Sequence, residues 1–246
     1  MELRDRIRVW WDEDASAYDA SAGHAMSDPV EAAAWRHALA SVLPAAPARV
    51  LDVGAGTGAL SLVVADLGHD VTALDVSGAM LGQAKAKAAE RSLDLTFVIG
   101  PAEEPPAGPF DAVIARHVLW TLPEPVEALR AWRAVVPRGG RVALFEGSWA
   151  GEGALVAVKD AVASALERSG GADQGHHGPY PQEISDRLPL RNATSPRPFL
   201  DAIREAGWRR PRLARLRDVE WAVDRQAPWP IGWLRHRHRF VLVAET

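Results

Sequence analysis

Residues 51–59 read LDVGAGTGA. The apolar run that precedes them, ARVLDV over 48–53, predicts a strand, and the pattern that follows, ALSLVVADL over 59–67, predicts a helix. Gly54, Gly56 and Gly58 therefore fall in the turn between the two. Glycine at such a turn tolerates positive φ and lets backbone N–H groups approach a ligand with no Cβ in the way. Two readings of the turn stay open on spacing alone. Gly54, Gly56 and Ala59 satisfy the G-x-G-x-x-[GA] pattern of dinucleotide sites, and Asp75 stands where any ribose-bearing cofactor needs a carboxylate for its hydroxyls.

Outward from the turn the chain alternates. DVTALDV (70–76) and LTFVIG (95–100) read as strands around a helix over 78–91. FDAVIA (110–115) and GRVALFE (140–146) follow as strands around a helix between Pro125 and Pro137. Five buried strands with crossover helices predict an α/β fold, a Rossmann-like, doubly wound sheet. A helix starting at Ser195 and Pro196 with Phe199, Leu200, Ile203 and Ala206 on its apolar face ends at Gly207. WRRPRLARLRDVEW (208–221) and RFVLVAE (239–245) then read as two closing strands. The whole is expected to be a seven-stranded, mostly parallel sheet with a C-terminal antiparallel strand, plus a helical and loop cap.

The expected division places one domain over 1–246, with N-terminal cap helices in 1–43, a cofactor-binding core in 48–150, a lid in 152–195, and a closing helix and strands in 196–246. In the first segment Leu3, Ile7, Trp10, Trp11, Asp14 and Tyr18 recur at helical spacing, so a helix there presents an aromatic face; a second helix is expected over Ala32–Val42. The stretch from Ser169 to Ser195 is rich in Gly, Pro and polar residues and shows no core period, which predicts a lid or substrate loop.

With 246 residues, 48% of them hydrophobic, the chain can bury one substantial core. It has no cysteine, which excludes disulfides, thiolate metal sites and cysteine nucleophiles. A charged N-terminus and the lack of an 18-residue apolar run predict neither a signal peptide nor a membrane span, hence a cytoplasmic protein. The net charge of −4 gives no general attraction to nucleic acid. Arginines crowd residues 187–239, but only Lys85, Lys87 and Lys159 of the 28 basic residues are lysine, so the bias belongs to the whole chain.

Further elements occur in a fixed order around the glycine turn: Asp52 two residues before Gly54, LDVSGAML (74–81), FDAVIARHVLWTL (110–122) and PRGGRVAL (137–144). Together these resemble the class I S-adenosylmethionine (SAM)-dependent methyltransferases over residues 1–150, in the ubiquinone/menaquinone-methyltransferase-like and natural-product branch. The resemblance implies that SAM is the cofactor. Gly54, Ala55 and Gly56 would pass under its methionine moiety, with Asp52 ordering the turn. Asp75 would accept both ribose hydroxyls, and Val76 and Met80 would pack on the adenine. Ala102 and Glu103 would line the adenine edge, Arg116 and His117 would stand near the methyl group, and Trp11 and Tyr18 would close over the cofactor. Relatives carry an acid where this chain has Pro101, between Gly100 and Ala102; Glu103 or a backbone carbonyl would then receive the adenine amino group.

Methyl transfer from a sulfonium is an in-line displacement, so alignment and exclusion of water matter more than an acid–base pair. Trp120 and the tryptophans of the first helix offer aromatic faces to the cation. For an oxygen acceptor the candidate bases are His117, His176, His177 and Glu146. The pair His176 and His177 lacks carboxylates at ligand spacing, so no metal is expected. The expected partner is a small-molecule methyl acceptor, with the chain a monomer or homodimer. An NAD-dependent oxidoreductase, a SAM-binding protein without catalysis and an RNA methyltransferase remain as rivals.

Overall fold

The computed structural model describes residues 2–20, 23–147, 154–169 and 180–246. Helix α1 spans Leu3–Tyr18 and α2 spans Pro29–Val42. The alternating core follows: β1 (Arg49–Val53), α3 (Ala59–Asp66), β2 (Asp70–Asp75), α4 (Gly78–Glu90), β3 (Thr96–Ile99), β4 (Ala112–Arg116), α5 (Pro125–Ala134) and β5 (Arg141–Gly147). Beyond it lie α6 (Ala154–Ser169), α7 (Gln182–Ser185), α8 (Arg197–Glu205), β6 (Arg209–Arg215), α9 (Arg217–Asp224), α10 (Ile231–Leu234) and β7 (Arg239–Glu245).

Seven strands form one sheet in the order β3-β2-β1-β4-β5-β7-β6. β1 to β5 pair in parallel and β7 runs antiparallel to both β5 and β6. The chain winds outward from β1 to β3 and then returns to β4 on the other side of β1. The sheet therefore has its switch point between β1 and β4, where ligands of such sheets bind outside the carboxyl ends of the strands.

The strands read as near-continuous apolar runs because both faces are covered. One core cluster joins Leu51, Val113 and Leu144 to Trp132 of α5 and Ile203 of α8; the other joins Val50, Ile114 and Phe145 to Trp35 and Leu39 of α2. Side-chain caps start two of the helices, and α2 begins at Pro29, three residues before the expected Ala32. The Asp28 carboxylate accepts from the N–H groups of Val30 and Glu31 just before Pro29 opens α2, and Ser77 Oγ accepts from Met80 N at the head of α4. The outermost strand β6, RRPRLAR, is exposed along most of its length; its charges and Pro211 make it a poor template for a further strand.

Two expectations are corrected. Only the first half of 208–221 is a strand. Leu216, Val219 and Ala222 recur every three residues and bury one face of a helix, so the chain turns into α9. The stretch 180–195 does have a core period: Tyr180, Ile184 and Leu188, four residues apart, pack against Ile7, with Leu3, Trp10, Trp11 and Trp120 around them. This part of the expected lid is a packed flank of α1.

Candidate functional site

At the carboxyl ends of β1, β2 and β4 the structure leaves a cavity open to solvent. Its floor is the glycine turn. Gly54, Gly56 and Gly58 all take positive φ, and Ala55 N donates to Leu74 O, which ties the turn to β2. Gly54 has no room for a side chain, because a Cβ there would stand 2.1 Å from Val118 Cγ2.

Asp75 ends β2 beside this turn. Its Oδ2 accepts from Gly56 N at 2.7 Å and its Oδ1 from Ser77 N at 2.8 Å, so both oxygens are fixed in place. Burial pushes its pKa up to about 6 against the pull of these hydrogen bonds.

Of the residues expected at the cofactor, Trp11, Tyr18, Gly54, Gly56, Asp75, Val76, Met80, Ala102, Glu103, Arg116 and His117 border this cavity. Asp52 and Ala55 border a smaller one that shares walls with it. Asp52 is buried, accepts from Ser61 Oγ at 2.6 Å and is pushed up to about 7 by burial. Ala102 turns its carbonyl to Trp132 Nε1, 2.6 Å away. Glu103 is the acid that faces the cavity in this loop, with Arg4 Nη2 3.6 Å from its carboxylate.

Helix α1 roofs the site. Its aromatic face is shared: Trp11 packs edge-on against Tyr18 and Tyr180, while Trp10 and Trp120 pack on Tyr180. Trp120 thus braces the 180–188 flank and does not border the cavity. Arg116 hydrogen-bonds Tyr18 and donates to Gly23 O and His24 O, which fastens the end of β4 to the chain following α1.

Sequence reading missed two carboxylates that hold this roof down. Asp12 accepts from Ser77 Oγ at 2.7 Å, next to Asp75. Asp19 accepts from Thr57 Oγ1 at 2.6 Å, inside the glycine turn, and from Lys87 Nζ at 2.7 Å. Asp12 of α1 and Asp19 just after it thus hold the turns that follow β2 and β1. The signal was the acidic cluster in WWDEDASAYD, whose partners only the fold brings near.

His117, at φ 58°, follows β4 and borders the cavity. Its Nδ1 lies 3.6 Å from Oε2 of Glu146, a residue of β5 that lies behind it and away from the cavity wall. Burial, reinforced by Arg116, holds the imidazole well below its ordinary value, so it is neutral. Burial pushes Glu146 from 4.5 up to about 8, even though it accepts a hydrogen bond from Leu119 N. His176 and His177 lie outside the described residues.

Glu146 makes a prediction for stability. A carboxyl whose folded pKa is raised stabilises the fold fully below its unfolded pKa, and that contribution is lost as pH rises through about 8. Urea denaturation between pH 6 and 9 is expected to show the natural chain losing more stability than Glu146→Gln, which keeps only the slope that Asp52 gives below about pH 7. One pKa unit corresponds to about 1.4 kcal/mol, so the gap at pH 9 is on the order of a few kcal/mol. Parallel pH profiles would show that Glu146 is already ionised in the fold.

Residues 51–144 match the family described as a methyltransferase domain. The chain is 33% identical over 138 residues to a ubiquinone biosynthesis O-methyltransferase of Xanthomonas axonopodis pv. citri, covering 55% of this chain and 54% of that protein. It is 35% identical over 145 residues to a demethylmenaquinone methyltransferase of Renibacterium salmoninarum, covering 58% and 59%. The chain thus spans little more than half the length of these relatives. A geranyl diphosphate C-methyltransferase from Streptomyces coelicolor A3(2), solved with Mg2+, geranyl diphosphate and S-adenosyl-L-homocysteine, superposes with a TM-score of 0.65, covering 100% of this chain and 98% of that one. At 14% identity that likeness is one of fold. Among the described residues no helix is long and apolar enough to cross a membrane. The glycine turn, the strand-ending acid and the family match point the same way: residues 51–144 are similar to a methyltransferase domain and are carried on a seven-stranded, mostly parallel sheet of the Rossmann-like kind.

Proposed function

We propose that this chain transfers the methyl group of SAM to an oxygen, nitrogen or carbon of a small organic acceptor. The observation that carries this reading is Asp75: a buried carboxylate held by two backbone N–H groups at the floor of a cavity, beside a glycine turn that borders the same space. Two oxygens in fixed positions suit two ribose hydroxyls. Arg116 supplies a cation for the methionine carboxylate, and Tyr18 and Trp11 give the sulfonium electron-rich surfaces. The names of the matched relatives support beginning the acceptor search with quinone- and quinol-like rings.

In this reading the chemistry is positioning. The cavity holds the cofactor while α1 excludes water, and the acceptor approaches along the line of the breaking S–C bond. His117, neutral and bordering the cavity, takes the proton from an O–H or N–H acceptor. Glu146, protonated and out of reach of the acceptor, positions the imidazole. The test is release of S-adenosylhomocysteine from SAM with a panel of phenols, quinols and amines. His117→Ala is expected to lower kcat by about 10²–10⁴-fold with S-adenosylhomocysteine affinity unchanged. A variant with full kcat on an ionisable acceptor would remove the base from the mechanism.

The roof is expected to set the lifetime of the bound cofactor. Asp19→Ala loses the contacts to Thr57 and Lys87 and is expected to raise the dissociation rate of S-adenosylhomocysteine about tenfold, equivalent to about 1.4 kcal/mol. Stopped-flow displacement checks this. An unchanged rate would mean that α1 does not gate release.

A further inference from the structure

Far along the chain from the cofactor turns, Glu220 and Asp224 of α9 meet two histidines that precede β7. Nε2 of His236 and Nδ1 of His238 are 3.3 Å apart, and each lies 3.9 Å from a different oxygen of the Glu220 carboxylate. One ligand atom from each residue falls within a 4.8 Å circle. Ligand atoms sharing a tetrahedral zinc at 2.0–2.1 Å stand roughly 3.3 Å apart, so only small side-chain movements separate this arrangement from a coordination shell.

The histidine orientation is that of a ligand. Asp224 Oδ2 lies 2.5 Å from His236 Nδ1, which places that proton between them and leaves the Nε2 lone pair directed at Glu220 and His238. A carboxylate behind a histidine in this way fixes the tautomer and raises the ring's basicity in metal sites. Glu220 itself is anchored: its side chain is 3% exposed and its Oε1 accepts from Arg239 N at 2.7 Å. His238 is 59% exposed, which leaves an entry path from solvent.

We propose that Glu220, His236 and His238 bind a first-row divalent transition cation such as zinc, clamping α9 to the start of β7. The expectation of no metal considered only His176 and His177. These two histidines are paired with their carboxylate by the fold, across 16 positions of sequence from Glu220 to His236. Two imidazoles and one carboxylate suit zinc and its neighbours better than calcium or magnesium, which take all-oxygen shells. Arg215 is the built-in competitor. Its guanidinium sits on both Glu220 oxygens at 2.8–3.0 Å with Nη2 3.4 Å from His236 Nε2, and its side chain, 42% exposed, can give up Oε2 to a metal by moving into solvent.

The test is calorimetric titration of the full chain, without an affinity tag and stripped with chelator, with zinc alone, followed by cobalt(II) absorption spectra. The expected result is one equivalent bound with a dissociation constant below about 10 µM at neutral pH. A melting temperature raised by several degrees at saturating zinc should accompany it. His236→Ala and His238→Ala should each weaken binding at least tenfold, Arg215→Gln should strengthen it, and His176→Ala with His177→Ala should leave it unchanged. His238 is exposed enough that its variant tests binding and not folding. No saturable uptake, uptake that persists without His236 and His238, or uptake that requires His176 and His177 would overturn the proposal.

Discussion

Asp75→Ala is expected to weaken S-adenosylhomocysteine binding by about 10²–10³-fold. Each hydrogen bond to a charged group contributes about 1.5–3 kcal/mol, and the carboxylate is proposed to receive two ribose hydroxyls. Because Asp75 also holds Gly56 N and Ser77 N, the alanine variant loses turn order as well. Asp75→Asn separates the two effects, since its amide oxygen keeps one backbone partner while the charge is gone. The natural chain provides a third control through pH. Hydroxyl donors need the ionised acid, and burial places its pKa at about 6, so affinity should be level above that value and fall about tenfold per unit below it. Titration calorimetry from pH 5 to 8 measures this. An affinity indifferent to both substitutions would move the ribose elsewhere.

Gly54→Ala is expected to cost about 3 kcal/mol of stability and to abolish cofactor binding. The residue sits at φ +64°, where a side chain costs roughly 1–2 kcal/mol, and its Cβ would overlap Val118. Trimming the neighbour should return part of the loss: in Gly54→Ala with Val118→Ala the overlap with the two methyls disappears, while a tight contact with the remaining Cβ and the backbone penalty stay. Gly56 makes the contrast. Its φ is +55° but a Cβ there meets no atom within 4 Å and points into open space, so Gly56→Ala should fold with a loss of only about 1 kcal/mol and still bind the cofactor poorly. Urea midpoints for the three variants decide this. Equal losses for Gly54→Ala and Gly56→Ala would contradict the close packing of β1's turn on Val118.

The five parallel strands and β7 were legible because each is a short apolar run, as in RVLDV before Gly54, RVALFEG after Gly140 and RFVLVAE near the end of the chain. The floor of the cavity was legible for a related reason: glycine spacing and a strand-ending acid report backbone geometry directly. What lay hidden depends on long-range contact. Asp12 and Asp19 gain their meaning from Ser77 and Thr57, and the helical spacing of Tyr180, Ile184 and Leu188 was masked by the prolines and glycines around it. In α9, arginines on both sides of Leu216 gave the look of a strand edge, while the burial of Glu220 on its Arg215 partner reversed the face. Glu146 was readable as an acid at the end of β5 but not as the buried, protonated group behind His117.

The account rests on the cavity at the carboxyl ends of β1, β2 and β4 being the seat of SAM. Titration of the full chain with S-adenosylhomocysteine, beside a parallel titration with NAD, tests that most directly. One saturable equivalent of S-adenosylhomocysteine, displaced by SAM, and no heat from NAD are expected. Saturable NAD binding without S-adenosylhomocysteine binding would contradict it.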